Sequence, residues 1–128
     1  MEELKVKFRK GRSFEASIRQ HRLPVDLPLG LKGSDTGPTP PDYLVLSLAS
    51  CVGMYVLFFC ERSGLSPEGL EVQAEYAKDQ ERITSIAVSV RLPSAETEER
   101  RREALGWAEK CLIHRTLCER PDLKISLR

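Results

Sequence analysis

The chain lacks an excess of charge, a phosphate-binding loop and an apolar first segment, and each absence excludes a class of function. Its 20 Lys and Arg residues stand against 19 Asp and Glu, a formal net charge of +1. A surface that follows nucleic-acid phosphates normally needs a basic excess, so no nucleic-acid partner is predicted. Gly30, Gly33 and Gly37 are not followed by the Lys-Ser/Thr of a phosphate loop. Because the first residues mix charged and apolar side chains, no secretion signal is predicted and a cytoplasmic location is expected.

A length of 128 residues with 41% hydrophobic residues is enough for one domain with its own core. A single domain over residues 1–128 is therefore predicted. The four cysteines are Cys51, Cys60, Cys111 and Cys118. In a reducing cytoplasm they are expected to be free thiols, a redox pair or metal ligands, rather than structural disulfides.

Alternation of apolar and polar residues predicts four strand regions. Residues 4–18 favour a half-buried hairpin that turns at Gly11, and residues 23–27 continue in phase as an edge strand because Pro24 lacks an N–H. Residues 28–41 are rich in Gly and Pro and predict a loop. Further alternation predicts a second antiparallel hairpin with a turn at residues 78–81 and a last strand at residues 123–127.

The run from residue 43 to residue 60 is apolar on every side and predicts a long helix that starts near Asp42 and ends before Gly64. Its length also reaches the lower limit of a membrane span, but the amphipathic remainder of the chain favours a core helix and no membrane. A helix apolar all round must be buried all round. Since 128 residues offer little material to cover it, a homodimer that buries two such helices together is predicted.

A second helix is predicted after Ser94, which suits an N-cap, and Arg120-Pro121 is expected to end it. Its apolar stripe ends at Cys111, which would bring that thiol to the core, within reach of Cys51. The order of strands, long helix, strands, helix and strand predicts the α+β class: antiparallel strands around a long central buried helix, with a second helix.

Cys51 is either a small core residue or a reactive thiol, and the residue alone leaves both open. A reactive thiol needs a nearby cation, and the first hairpin offers several: Arg9, Arg12, Arg19 and Arg22. Cys60 and Cys118 are interpreted as structural or incidental, and His21 and His114 as surface or hydrogen-bonding residues. A zinc site of Cys51, Cys111, His114 and Cys118 is a further hypothesis, although the spacing matches no common zinc pattern.

Three segments together resemble the OsmC/Ohr family, the osmotically inducible and organic hydroperoxide resistance proteins. They are Pro40-Pro-Asp-Tyr-Leu-Val-Leu-Ser-Leu-Ala-Ser-Cys51, Trp107-Ala-Glu-Lys-Cys111-Leu-Ile-His-Arg-Thr-Leu117 and His21-Arg-Leu-Pro-Val-Asp-Leu-Pro28. The last of these is similar to the OsmC-like branch. The resemblance covers essentially the whole chain and depends most on the two cysteine motifs.

The resemblance implies an intertwined homodimer whose thiol sites lie at the subunit interface. Cys51 would be the peroxidatic thiol that reduces an organic hydroperoxide, and Cys111 would resolve it as a disulfide that an external dithiol reduces. No metal or organic cofactor is implied. The acid of the first motif is Asp42 where the family usually has Glu, and Leu112 replaces a frequent Pro. Arg9 is the candidate for the activating cation.

Two points stay open in the sequence. In the OsmC branch the activating cation comes from the later loop, where this chain offers Lys32. Lys32 is therefore the alternative to Arg9. The alternative function is a non-catalytic module that binds small apolar ligands or thiol compounds, because the same apolar surroundings would hold either kind of molecule.

Overall fold

A computed structural model describes residues 2–128. The strands are β1 (Lys5–Lys10), β2 (Ser13–Ile18), β3 (His21–Val25), β4 (Glu71–Lys78) and β5 (Ile83–Arg91). The helices are α1 (Pro40–Ser63), α2 (Glu98–Ala108) and α3 (Leu112–Cys118), and a short 3-10 turn covers Leu29–Leu31. This mixture of antiparallel strands and helices confirms the α+β class. The chain divides into two compact units, one ending at Leu44 and one of Val45–Arg128. The single domain stays a prediction.

The first unit contains a three-stranded antiparallel sheet in the order β1-β2-β3. Gly11 turns the first hairpin with a φ of +56°, a conformation that glycine adopts without strain. Among residues 2–128, β3 pairs with β2 on one side alone, so Pro24 lies on an edge strand, as predicted.

The prediction of a half-buried β1 is wrong for the single chain. Every residue of β1 is exposed, and Val6 and Phe8 keep 61% and 64% of their accessible surface. Phe8 contacts its cross-strand partner Phe14, with ring centroids 5.8 Å apart in an edge-to-face arrangement. Alternation creates an apolar face, but burial of that face requires a second layer.

A buried carboxylate organises the loop after β3. Asp26 is 1% exposed, and its Oδ2 accepts hydrogen bonds from the Thr36 hydroxyl (2.6 Å), the Thr36 N–H (3.1 Å) and the Ser34 N–H (3.3 Å). Oδ1 accepts from the Leu27 N–H at 2.7 Å. These bonds, the Thr36 hydroxyl first, lower the pKa of Asp26 from 3.8 to about 2.

Replacing Asp26 with asparagine is expected to destabilise the protein near neutral pH, because an NH₂ group would face donors that need an acceptor. A pKa lowered by folding adds stability above the unfolded value of 3.8, and this stability is lost as the pH falls toward about 2. Urea unfolding measured across that pH range should therefore show that the free energy of unfolding falls more steeply for the wild type than for Asp26→Asn. The control is Asp35→Asn, which changes an exposed carboxylate of the same loop. Equal acid sensitivity of the wild type and Asp26→Asn would contradict the prediction.

α1 begins at Pro40, slightly earlier than the expected start near Asp42. Proline suits the first turn of a helix because the N–H groups there have no helical partner. Thr39 and Asp42 form a capping pair: Asp42 Oδ2 accepts from the Thr39 N–H at 2.9 Å, and Thr39 Oγ1 accepts from the Asp42 N–H at 3.3 Å. The helix ends at Ser63, before Gly64 with its φ of +69°, as predicted.

One face of α1 is buried and another is exposed in the single chain. The buried residues are Val45, Leu48, Val52, Val56, Phe59 and Cys60. Leu46 and Met54 remain 56% and 55% exposed, so the chain alone does not bury the helix on every side. By length and hydropathy α1 passes the test for a membrane span, with 39% of its most apolar window buried, but a core helix passes the same test.

The core of the second unit lies between α1, the β4-β5 hairpin and the last two helices. The predicted second hairpin is confirmed, and its register pairs Val72 with Val90, Ala74 with Val88 and Tyr76 with Ile86. Buried core residues are Leu48, Val52, Val56, Ala108 and Cys111, and the apolar face of the hairpin packs against them.

Two predictions for the end of the chain are wrong. Thr97 caps α2 by accepting the Arg100 N–H, whereas the predicted cap Ser94 donates its hydroxyl to the Ser66 carbonyl instead. Residues 123–127 form no strand and are exposed, with Ile125 fully exposed. In the part of the chain that the structure describes, neither sheet includes these residues, so their alternation has no strand with which to form hydrogen bonds.

Candidate active site

A change of direction after α2 carries Cys111 into the core. The single helix predicted to run on past Cys111 stops at Ala108, and Cys111 has a non-helical backbone (φ −49°, ψ 132°) as the N-cap of α3. Its sulfur accepts the His114 N–H at 3.4 Å. The break buries Cys111 completely, at 0% exposure.

Cys51 and Cys111 meet in the second unit, and we call them the thiol pair. Cys51 lies in α1, is half-buried and packs against the core cluster that contains Cys111. Burial raises the pKa of Cys111, and a side-chain hydrogen bond with Cys51 raises it further. Neither cysteine forms a disulfide in this structure. Cys111 is therefore a buried, protonated thiol in direct contact with a more accessible one.

Beside the thiol pair lies a cleft of about 280 Å³ that carries positive charge. It is lined by Tyr55, Lys110, Leu112, Arg115, Thr116 and Glu119. Tyr55 follows Cys51 by one helical turn, and Lys110 directly precedes Cys111. The Lys110 ammonium also lies 4.5 Å from the centre of the Trp107 ring. Sequence reasoning missed Lys110 and Arg115 as cations of the site, although both are within four residues of Cys111.

The other two predicted site residues, Arg9 and Asp42, belong to the first unit. Arg9 is exposed and lies at the irregularity of β1, where the pairing passes from Phe8 to Lys10. Asp42 is half-buried and accepts the Thr39 N–H at the start of α1. Their roles in the reaction stay predictions.

The remaining cysteines are of two kinds. Cys60 is 1% exposed, and burial raises its pKa, which fits the structural role predicted for it. Cys118 is exposed at the end of α3, with its sulfur 3.6 Å from His114 Nε2. Within residues 2–128 no three His, Cys, Asp or Glu side chains converge to hold a metal, so the structure does not support the zinc hypothesis.

The chain is similar to proteins of one family. The sequence model of the OsmC family, whose description is "OsmC-like protein", matches residues 33–126 of this chain. An OsmC like protein from Mycoplasma pneumoniae is 16% identical, with a TM-score of 0.81 over 94% of this chain and 89% of that one. An organic hydroperoxide resistance protein OsmC from Legionella pneumophila is 13% identical, with a TM-score of 0.71 over 93% and 90%.

A third solved structure, an OsmC-like hydroperoxide resistance protein from Jannaschia sp., is 18% identical, with a TM-score of 0.59 over 96% of this chain and 89% of that one. No curated protein matches the chain. At these identities the likeness shows a shared fold, and it confirms the architecture expected from the sequence.

Proposed function

We propose that this chain, which belongs to the family of OsmC-like proteins, is a thiol-dependent reductase of organic hydroperoxides. The observation that carries the proposal is the direct contact between the Cys51 and Cys111 side chains. Two thiols in contact are the requirement for a cycle that passes through an intramolecular disulfide. The similarity to hydroperoxide resistance proteins supports the same chemistry.

In the first step the Cys51 thiolate attacks the outer oxygen of the hydroperoxide. The S–O bond forms as the O–O bond breaks, the alkoxide leaves with a proton as the alcohol, and Cys51 becomes a sulfenic acid. The sulfur is oxidised by two electrons and the peroxide is reduced by two. The apolar side chains around the thiol pair favour an alkyl group on the substrate.

In the second step the Cys111 sulfur attacks the sulfenic acid of Cys51. The disulfide forms, and the sulfenic oxygen leaves as water with the Cys111 proton. An external dithiol then reduces the disulfide and is itself oxidised to a disulfide. These steps need only thiols, so the proposal includes no metal or organic cofactor.

The different burial of the two sulfurs supports these assignments. Cys111 is fully buried with a raised pKa, so it is poorly suited to meet a peroxide as a thiolate. Cys51 is the more accessible of the two. Stabilising its thiolate needs a cation, and Arg9 is our proposal, with Asp42 as its acidic partner. Lys110 and Arg115 supply positive charge in the unit that holds the thiol pair.

Replacing Cys111 with serine is expected to stop the cycle after one turnover. Serine is a good N-cap, so α3 should stay formed, but a hydroxyl cannot form the disulfide. After peroxide treatment, dimedone should label Cys51 in Cys111→Ser, whereas peptide mass spectrometry of the wild type should show a disulfide between residues 51 and 111. Sustained turnover of Cys111→Ser with a dithiol would contradict the assignment of Cys111.

We also propose that the protein is a homodimer. Large apolar side chains remain exposed on α1 (Leu46, Met54 and Phe58) and on β1 (Val6 and Phe8), and a second copy would cover such surface. Light scattering at micromolar concentration is expected to give twice the mass of the chain. The mass of one chain, 14.5 kDa, would contradict the proposal.

A second function, the binding of small apolar ligands, is favoured by a separate observation. A cavity of about 240 Å³ lies between α1, the β4-β5 hairpin and α2, and most of its lining is apolar. Its apolar lining residues include Leu48, Val52, Ile86, Val88, Val90, Leu105 and Ala108. Turnover of cumene hydroperoxide with a dithiol separates the two functions: a binding module would take up apolar ligands and consume no peroxide.

A further inference from the structure

His114 and Cys118 form a second pair of neighbouring side chains, on α3 and outside the thiol pair. The Nδ1 atom of His114 lies 3.1 Å from the backbone carbonyl oxygen of Glu109. The Nε2 atom of the same ring lies 3.6 Å from the Cys118 sulfur. The histidine ring is thus held at one nitrogen by the backbone and faces a thiol with the other.

The carbonyl of Glu109 determines which nitrogen of His114 carries the hydrogen. A carbonyl oxygen only accepts hydrogen bonds, so Nδ1 must donate, and in the neutral ring Nε2 then has a free lone pair. The Cys118 S–H is therefore the donor to Nε2. A nucleophile next to a base that a third group orients is the arrangement that activates a thiol.

The exposure of Cys118 separates it from the other thiols. Cys118 is exposed, whereas Cys111 and Cys60 are buried. Cys118 follows Cys111 by seven positions, about 10 Å along a helix, so the two sulfurs do not meet. A molecule in solution can reach Cys118 without entering the core.

We propose that Cys118 and His114 form a site for mixed disulfides with low-molecular-weight disulfides. His114 Nε2 takes the Cys118 proton, and the sulfur attacks one sulfur of the small disulfide. The new S–S bond forms as the old one breaks, and the released thiolate takes the proton from His114. The small disulfide is the oxidant, and one of its halves leaves as a thiol. This reaction is independent of the proposed hydroperoxide reduction.

The test is the reaction of the folded protein with the aromatic disulfide dithiobis(nitrobenzoic acid) near neutral pH. The released coloured thiolate gives the rate, and peptide mass spectrometry gives the modified cysteine. We expect Cys118 to react faster in the native protein than in the urea-unfolded chain, because only the folded state places His114 beside it. An equal or slower native rate at Cys118 would overturn the proposal.

Substitution of His114 tests whether this residue acts as a base toward Cys118 or only supports the structure of α3. His114→Gln is expected to slow the reaction at Cys118 by about tenfold or more, and added imidazole should restore part of the rate. The matched control His21→Gln, an exposed histidine of β3, should react like the wild type. Loosening of α3 would also separate residue 114 from Cys118, so circular dichroism should show that His114→Gln keeps its helices and that a slower reaction reports the missing base. An unchanged or faster rate in His114→Gln would refute the role of His114.

A third variant separates this site from the proposed peroxide chemistry. Cys118→Ser should form no adduct at residue 118 and should keep the hydroperoxide turnover of the wild type. If hydroperoxide reduction proves absent, the adduct at Cys118 is still expected. If the peroxide is reduced but Cys118 stays unmodified, only the present proposal fails.

Discussion

Replacing Cys51 with serine is expected to abolish hydroperoxide turnover, with a loss of about a thousandfold or more. The hydroxyl that replaces the thiol is a far weaker nucleophile at neutral pH and cannot form a sulfenic acid or a disulfide with Cys111. The measurement is consumption of cumene hydroperoxide in the presence of a dithiol.

The control for this variant is Cys118→Ser, which changes an exposed thiol outside the thiol pair. It should turn over peroxide at the rate of the wild type. Circular dichroism should show that both variants keep their helices, so that a loss of activity reports the missing sulfur. Turnover retained by Cys51→Ser, or lost equally in both variants, would contradict the assignment of Cys51.

The largest effect on stability is expected for Phe59→Ala. Phe59 lies on the buried face of α1 with 2% of its surface exposed, and truncation of a buried phenylalanine costs about 3–5 kcal/mol. Most of this cost is lost apolar burial, and the rest comes from the cavity left behind. Urea unfolding at low protein concentration measures the change in the free energy of unfolding.

The neighbouring residue gives a matched comparison, because Phe58 is 40% exposed and makes an edge-to-face contact with Tyr55. Phe58→Ala removes the same atoms from a less buried position and should cost about 1–2 kcal/mol. If the protein is a dimer, this smaller cost should rise with protein concentration as the exposed face becomes covered. A loss for Phe58→Ala as large as that for Phe59→Ala would contradict the orientation of α1.

Motifs and local patterns predicted different parts of the site. The resemblance to the OsmC/Ohr family, now supported by the match over residues 33–126, singled out both members of the thiol pair. Their contact depends on the break between α2 and α3, and no Gly or Pro marks that break in residues 109–111. The position of the His114 ring also depends on this break, because the ring contacts the Glu109 carbonyl oxygen at its start.

The sequence by itself determined the two hairpins, the edge position of Pro24 and the end of α1 before Gly64. These features follow from local rules: alternation, the missing N–H of proline and the conformations open to glycine. Only the tertiary structure decided that Cys111 leaves the helix for the core and that residues 123–127 form no strand. A buried position or a paired strand depends on residues distant in sequence. A local pattern does not show whether those residues come into contact with it.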